Sequence, residues 1–162
     1  SNLILAGCKE ILIISSPKSL GELKNQLGDG SRFGISLSYV EQLSPEGIPS
    51  AIYLAKSFSE NEDIWVSLGD NLIFGSRIKE LYEDVNSSKK ATIFIKHVGS
   101  IYGFGSAKIE KEKITHLEEK PKTKSSGWAV TGLYKFPNSV FELMYQLGEF
   151  ISIRIRNYRI KS

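Results

Sequence analysis

The chain has 162 residues, of which 41% are hydrophobic; this is enough for one domain with a substantial core and excludes an intrinsically disordered chain. Its net charge is +3, from 21 Lys and Arg against 18 Asp and Glu, but residues 151–162 hold four basic side chains and no acid, so the first 150 residues carry 17 − 18 = −1. A neutral body with a short basic end argues against a nucleic-acid-binding domain, which carries a broad basic face.

Cys8 is the single cysteine, and one thiol cannot form an internal disulfide, which favours a reduced cytoplasmic protein. No apolar run reaches the ~18 residues that span a bilayer, and no charged segment precedes an apolar stretch with a cleavage site. The sequence therefore predicts a cytoplasmic protein without a membrane partner.

The first half of the chain alternates between helical and extended patterns. Leu3, Leu5 and Ala6 have helical spacing and are stopped by Gly7, so the chain opens within a fold and we expect further residues ahead of Ser1. The periodicity then predicts a strand over 11–14, a helix over 19–27, a strand over 35–39, a turn over 44–47, a helix over 51–58, a strand over 64–68 and a helix over 78–85. This order of elements predicts a parallel, right-handed wound sheet.

The second half of the chain changes to consecutive strands. They are predicted over 91–98, 102–110, 113–118 and 128–136, joined by short polar or glycine-containing links. Ser139 and Glu142 occupy capping-box positions of a last helix, whose predicted inward face consists of Val140, Leu143, Met144 and Leu147. The second half therefore adds antiparallel strands to the sheet. The two halves together predict an α/β fold with a Rossmann-like mixed sheet, mostly parallel and flanked by helices.

Asp70 is the first candidate for chemistry, because ligands of an open α/β sheet bind outside the carboxyl ends of its strands. It follows the strand that ends at Leu68, and the neighbouring Gly69 lets a ligand approach the backbone. A carboxylate at such an edge suits magnesium, which is usually held by one or two carboxylates together with substrate phosphates. The alternative is that Asp70 only starts a turn with Asn71.

Glu119 and Lys120 form the second candidate, at the end of a predicted strand and ahead of Pro121, which fixes the turn. Such a pair could bind a phosphorylated polyol, with the carboxylate on hydroxyls and the ammonium on phosphate. The alternative is a solvated ion pair in a segment that is charged throughout. Thr131 and Gly132 lie inside a predicted strand, where a glycine often marks the close approach of a ligand or of another backbone.

The remaining reactive side chains have no catalytic spacing. His97 and His116 lie in separate predicted strands without metal-ligand spacing, which favours structural roles. Gly103, Phe104 and Gly105 are not followed by a helix and therefore do not form a dinucleotide-binding loop. The sequence shows neither a Ser-His-Asp pattern nor a thiol-centred arrangement.

Seven segments carry a likeness to a known family. They are 3–15, 27–34 (LGDGSRFG), 42–51 (QLSPEGIPSA), 68–75 (LGDNLIFG), 102–103, 117–121 (LEEKP) and 129–134 (AVTGLY). Taken together, in this order and at these separations, they resemble the sugar-phosphate nucleotidyltransferases, and within them the branch that uses dTTP and glucose 1-phosphate. The resemblance implies a nucleotidyltransferase core over 1–148, with 149–162 as a basic tail.

The resemblance also implies the reaction and its residues. A phosphate oxygen of a sugar 1-phosphate would attack the α-phosphorus of a nucleoside triphosphate, with magnesium as cofactor, to give a nucleotide sugar and pyrophosphate. By this likeness Asp70 and Lys120 are catalytic, Asp70 is also the magnesium ligand, Gln42, Gly47, Ile48 and Asp70 bind the nucleotide, and Gly103, Glu119, Lys120, Val130 and Gly132 bind the sugar phosphate.

The chain departs from the family pattern at both ends. Family members begin with a strand and a glycine-rich loop carrying Thr and Arg, and they have a distal lysine and a second metal-binding aspartate. None of these has a counterpart in the 162 residues, so we expect the chain as written to be an incomplete and largely inactive enzyme. Residues 48–50 and 99–101 also differ from the family, and 151–156 alternate like a strand where the family has a helix.

Other functions stay open on the sequence alone. A uridylyltransferase or guanylyltransferase of the same family is the nearest alternative. A non-catalytic nucleotide-sugar-binding or regulatory module, which kept the binding pocket and lost the loop and lysine that hold the triphosphate, belongs to a different class of function. A glycosyltransferase of similar topology is another alternative. The likeness also makes a homo-oligomer an expected assembly, while neither nucleic acid nor a membrane is an expected partner.

Overall fold

The computed structural model describes residues 2–43, 47–111, 113–122 and 124–146. In chain order its elements are α1 (Asn2–Leu5), β1 (Glu10–Ser15), α2 (Pro17–Leu27), a 3-10 turn (Ser31–Phe33), β2 (Ser36–Glu41), α3 (Ile48–Leu54), β3 (Ile64–Ser67), α4 (Ile78–Ser87), β4 (Thr92–Val98), β5 (Ser106–Glu110), β6 (Lys113–Glu118) and β7 (Gly127–Phe136). Residues 140–146 form one more helix, α5. Positions 44–46 of the predicted turn, Leu147 and the predicted tail over 149–162 lie outside the described residues.

The chain divides into two compact units, and the first contains Leu3–Ile64 with the described residues from Phe136 onward. In this unit β1 and β2 pair in parallel, from Glu10 opposite Ser36 to Ser15 opposite Glu41. The connecting helix α2 has a proline in its first turn and ends at Gly28, whose φ of 63° terminates it. The predicted strand, helix and strand over 11–39 are therefore confirmed.

The two other helices of this unit differ in detail from their predictions. α3 ends at Leu54 rather than at residue 58. In α5 Leu143 is 58% exposed and Phe141 is 3% exposed, so the predicted inward position of Leu143 is wrong. Phe141 and Leu143 are two residues apart, about 200° around a helix of 3.6 residues per turn, so the two side chains cannot both face inward. Just ahead of α5, the Asn138 backbone N–H donates to Asp63 Oδ1 at 3.3 Å.

The second unit, Trp65–Lys135 with Asn2, is built on a five-stranded sheet. β7 neighbours β3, β4 and β5, and β5 also pairs with β6. The β4–β7, β5–β6 and β5–β7 pairs are all antiparallel. The antiparallel strands predicted for the second half are therefore confirmed, but the mostly parallel character predicted for the sheet is wrong, since parallel pairing in the described chain is confined to β1 and β2. A parallel pair needs a crossover of a dozen or more residues, and the two-residue link between β5 and β6 allows only a hairpin.

An aromatic cluster joins α4 to the sheet of the second unit. The Tyr82 ring lies 5.3 Å from the Trp65 ring and 5.8 Å from the Phe94 ring, both edge to face. Trp65 Nε1 donates to Asn86 Oδ1 at 2.9 Å. Tyr82 and Val85, three residues apart on the predicted helix over 78–85, are both buried and form its inward face, whereas Leu81 is 44% exposed.

We expect Tyr82→Phe to raise the free energy of unfolding by about 1 kcal/mol at neutral pH, because the buried Tyr82 hydroxyl has no hydrogen-bond partner among the described residues. Burial raises the pKa of Tyr82, so the folded protein holds the phenol proton more tightly than the unfolded chain does. The stability that wild type gains from holding this proton is present below the unfolded pKa of about 10 and is lost as pH rises through the folded pKa. The advantage of the variant should therefore grow above pH 10. Urea denaturation at pH 7 and above pH 10 tests this, with the exposed Tyr53→Phe as control; a variant less stable than wild type would contradict it.

In the described part of the chain, no helix combines the length and the apolar character that a membrane crossing requires.

Candidate functional site

Asp70 lies three residues after the end of β3, in a turn held by the backbone. The Asn71 N–H donates to the Leu68 carbonyl at 3.4 Å, and the Asn71 carbonyl accepts from Nδ2 of the buried Asn2 at 3.4 Å. The turn predicted as the alternative role of Asp70 is therefore present. The Asp70 side chain is exposed beyond it, so the turn does not use up the carboxylate.

Gly132 in β7 is where this turn meets the sheet. Its carbonyl accepts from the Leu68 N–H at 2.9 Å, and its φ is 71°. A Cβ at this position would lie 2.6 Å from Asn71 Nδ2 and 2.7 Å from Leu68 Cδ1. The glycine within the strand predicted that a ligand or another backbone comes close to it. In the structure the side chains of Asn71 and Leu68 come close to Gly132, and the missing Cβ allows the segment next to Asp70 to lie against β7.

We expect Gly132→Ala to lower the free energy of unfolding by about 2–4 kcal/mol, since it adds overpacking against Asn71 and Leu68 to a left-handed backbone. Gly69→Ala is the matched control in the same turn, because a Cβ there meets nothing within 4 Å. Denaturant titration of the two variants measures the difference. Equal stability of both variants would show that Asn71 is not held against Gly132 in solution.

Glu119 and Lys120 follow β6 and both are exposed. The Glu119 Oε2 atom lies 3.4 Å from the point where a Cβ would stand on Gly105, and the Val130 side chain lies 3.6 Å from the same point. The Val130 N–H donates to the Gly105 carbonyl at 2.7 Å. Lys120 has a φ of 46°, a left-handed conformation that costs a non-glycine residue about 1–2 kcal/mol.

Tyr134 is a residue of this region that the sequence reasoning missed. It lies in β7, it is half-buried, and both burial and the negative charge of Glu119 raise the pKa of its phenol. The phenol is therefore within electrostatic reach of that carboxylate. The only sequence signal is its place at the end of the segment 129–134.

The two candidate segments converge on β7. Asn71, next to Asp70, lies against Gly132, while the carboxylate of Glu119, next to Lys120, and the Val130 side chain both lie within 3.6 Å of one point over Gly105. These two positions of β7 are two residues apart, about 7 Å along a strand. These contacts are made by Asn71 and Glu119, the neighbours of Asp70 and Lys120. The side chains of Asp70 and Lys120 themselves are exposed to solvent.

The donor set at this place suits a hard cation bound together with a substrate. Asp70 offers one exposed carboxylate, and no group of three or more His, Cys, Asp or Glu side chains in the described ranges could hold a metal by itself. Magnesium is commonly held by one or two carboxylates with the remaining positions taken by water and substrate phosphates. The residues therefore fit magnesium as a substrate-linked ion rather than as a structural one.

Gly103 lies in a turn that leads into β5. Its φ is 83°, and the Phe104 N–H donates to the Ile101 carbonyl at 3.1 Å. The strand predicted from residue 102 therefore starts only at Ser106. Tyr102 is 57% exposed, with the Lys124 ammonium 5.7 Å from its ring centroid.

Gln42, Gly47 and Ile48 form a separate cluster in the first unit. The Gln42 N–H continues the parallel ladder by donating to the Ser15 carbonyl at 2.9 Å. Its side-chain Nε2 donates to the Gly47 carbonyl at 3.3 Å. Gly47 has a φ of 87° and precedes α3, whose first residue is the 36% exposed Ile48. The bond fixes the plane of the Gln42 carboxamide beside the start of α3.

The histidines have ordinary surroundings. The His97 ring lies 5.3 Å from the Trp128 ring, edge to face at 84°. His116 lies opposite Lys108 in the β5–β6 pair. Neither histidine belongs to a group of three or more metal-binding side chains among the residues described.

Comparisons with known proteins identify the family of this arrangement. The family model described as nucleotidyl transferase matches residues 1–150. The glucose-1-phosphate thymidylyltransferase of Neisseria meningitidis is 38% identical over 149 residues, which are 91% of this chain and 52% of that protein. The enzyme of the same name from Mycolicibacterium smegmatis is 34% identical over 148 residues, 91% of this chain and 51% of that protein. The chain thus spans about half the length of these curated relatives.

Solved structures agree on the fold. A Bacillus anthracis protein assigned as a glucose-1-phosphate thymidylyltransferase, crystallised with a sucrose, superposes with a TM-score of 0.78 at 33% identity, covering 87% of this chain and 57% of that one. A UDP-glucose pyrophosphorylase complexed with UDP-glucose superposes with a TM-score of 0.72 at 23% identity, covering 90% and 64%. The second likeness establishes the mixed α/β fold alone.

Proposed function

The chain belongs to the nucleotidyl transferase family, and from this premise we propose that the protein transfers a nucleotidyl group from a nucleoside triphosphate, by preference dTTP, to glucose 1-phosphate. A phosphate oxygen of the sugar 1-phosphate attacks the α-phosphorus, and the bond from that phosphorus to the bridging oxygen breaks. Pyrophosphate leaves, and the product is a nucleotide sugar. Relatives at 34–38% identity that are named glucose-1-phosphate thymidylyltransferase support the choice of substrates.

The convergence of the Asp70 and Lys120 segments on β7 carries this proposal. In the reaction two polyanions must be brought together, and the charge that builds on the transferred phosphorus must be neutralised. Lys120 holds the phosphate of the sugar, and Glu119 accepts hydrogen bonds from the sugar hydroxyls. Gly103 and Val130 contact the sugar, and Gly132 keeps the turn of Asp70 in place. Magnesium, when bound, supplies positive charge on the triphosphate oxygens at Asp70.

The Gln42 cluster supports a role in binding the base. One N–H of the Gln42 carboxamide is used by Gly47, which leaves the second N–H and the oxygen as a donor and an acceptor side by side. A pyrimidine edge with an N–H next to a carbonyl, as in thymine and uracil, is complementary to that pair. Ile48 would contact the flat face of such a base.

The proposal is tested with the full-length gene product that contains this chain. Pyrophosphate release is measured with glucose 1-phosphate, magnesium and each of dTTP, UTP, GTP and CTP. We expect the highest kcat/KM with dTTP. A preference for UTP or GTP would replace thymidylyl transfer by another reaction of the family. Tight calorimetric binding of a nucleotide sugar without turnover would contradict the proposal and favour a non-catalytic binding module.

A further inference from the structure

The antiparallel pairing of β4 with β7 is interrupted by a bulge in β7. The ladder passes from Ile95 opposite Val130 to Ile93 opposite Tyr134. Three residues of β7 therefore lie opposite the single residue Phe94 of β4. A bulge bends its strand and changes the direction of the residues around it, and bulges are frequent next to active sites.

The Thr131 side chain closes this bulge. Its hydroxyl donates to the Phe94 carbonyl at 2.9 Å, so the residue that faces the bulge has a side-chain partner for its backbone oxygen. Phe94 is itself well packed, since its ring lies 5.6 Å from the Trp65 ring and 5.8 Å from the Tyr82 ring. The Thr131 bond therefore attaches the bulge to a packed part of the sheet.

Gly132, the next residue of the bulge, connects it to the segment that contains Asp70. Because β4 runs along one edge of β7, β3 lies along the other edge. Across that edge the Gly132 carbonyl accepts from the Leu68 N–H at 2.9 Å. The φ of Gly132 is 71°, a left-handed conformation that glycine supplies in bulges. Thr131 and Gly132 thus bond to opposite neighbours of β7, Thr131 to β4 and Gly132 to the turn of Asp70.

We propose that Thr131 is a positioning residue for the cation site at Asp70. Its hydroxyl holds the bulge, the bulge places Gly132, and Gly132 fixes the turn that carries the Asp70 carboxylate. The inference rests on the proposed function for the role of Asp70. Positioning matters at such a site because Mg²⁺ demands near-ideal octahedral geometry, so a small shift of the carboxylate weakens binding.

Thr131→Val tests this role, because valine has a similar shape and lacks the hydroxyl. Mn²⁺ binding is measured by electron paramagnetic resonance with dTTP and the full-length gene product. We expect the variant to bind Mn²⁺ about five- to tenfold less tightly, the factor that corresponds to the loss of one hydrogen bond. The magnesium concentration that gives half-maximal activity should rise by the same factor. Thr131→Ser keeps a hydroxyl and should restore both values.

The KM for glucose 1-phosphate should be unchanged in Thr131→Val. Val130, the neighbouring residue, is held separately by its own N–H, which donates to the Gly105 carbonyl at 2.7 Å. Thr92→Val is the matched control. The Thr92 hydroxyl also donates to a backbone carbonyl, that of Lys90 at 3.4 Å, but it lies at the start of β4 and outside the bulge. This variant should bind Mn²⁺ as wild type does.

Hydrogen exchange of the Leu68 amide gives a readout that needs neither metal nor turnover. The Leu68 N–H is held by Gly132, so its exchange should be about five- to tenfold faster in Thr131→Val and unchanged in Thr92→Val.

The outcomes separate the inference from the proposed function. Wild-type Mn²⁺ affinity in Thr131→Val would overturn the inference and leave the proposed function standing. Faster exchange or lower stability together with wild-type Mn²⁺ affinity would also overturn it, because the hydroxyl would then have a structural role only. If the wild type releases no pyrophosphate with any nucleotide, the proposed reaction is wrong, and the Mn²⁺ affinities still decide the role of Thr131.

Discussion

Lys120→Gly is expected to lower kcat/KM for pyrophosphate release by about 10²–10³-fold, the usual cost of removing one preorganised charged group. The change should leave the free energy of unfolding within about 1 kcal/mol, because glycine relieves the left-handed backbone at Lys120 (φ 46°) while adding entropy to the unfolded chain. The variant therefore tests the role of the Lys120 ammonium separately from that of the backbone conformation at Lys120. Enzyme kinetics and urea denaturation on the full-length protein measure the two effects.

Lys111→Gly is a matched control for this variant. Lys111 has a φ of 49° and lies in the turn between β5 and β6, so the same substitution relieves the same kind of backbone strain away from the candidate site. We expect wild-type kinetics from it. Lys120→Arg should retain part of the activity, since it keeps the charge with a different geometry. Equal activity of the Lys120→Gly and Lys111→Gly proteins would remove Lys120 from the mechanism.

Asp70→Asn is expected to reduce kcat by about 10²–10³-fold at saturating magnesium. The substitution preserves the shape of the turn at Leu68 and Asn71 but removes the negative charge, and a neutral amide is a weaker ligand for a hard cation. The magnesium concentration that gives half-maximal activity should rise in the same variant. Stability should be unchanged, since the Asp70 side chain is exposed.

Direct metal binding gives a readout for Asp70 besides turnover. Free Mn²⁺ measured by electron paramagnetic resonance, in the presence of dTTP and the full-length protein, should bind less tightly to Asp70→Asn than to wild type. Asp84→Asn, an exposed carboxylate on α4, is the control and should bind Mn²⁺ normally. Wild-type Mn²⁺ affinity in Asp70→Asn would assign the cation to other ligands.

Local patterns in the sequence predicted the elements of the fold well. The apolar run over 11–14, the alternation over 35–39 and the spacing of Tyr82 and Val85 each reflect burial along one element, so periodicity alone identifies them. Sheet membership could not be obtained in this way. β3 follows a strand-helix-strand order, yet it lies beside β7, more than sixty residues later, through a bond from Leu68 to Gly132. Pairing over such a separation leaves no periodic signal.

The candidate site was predictable to different degrees. Asp70, Glu119 and Lys120 stand at the ends of recognisable strands, where a ligand site is expected. The surroundings of Gly105 could not be predicted, because they depend on the strand register that brings Val130 and Glu119 close to it. Tyr134 was missed for a similar reason, since its nearness to Glu119 arises from tertiary structure.

The central claim is that the cation at Asp70 and the sugar phosphate at Lys120 share one site. The direct measurement is the ³¹P relaxation rate of glucose 1-phosphate bound to the full-length protein, with Mn²⁺ in place of magnesium. The account predicts a strong paramagnetic increase in this rate that Asp70→Asn abolishes without displacing the sugar phosphate. Bound glucose 1-phosphate whose ³¹P relaxation does not respond to bound Mn²⁺ would contradict it.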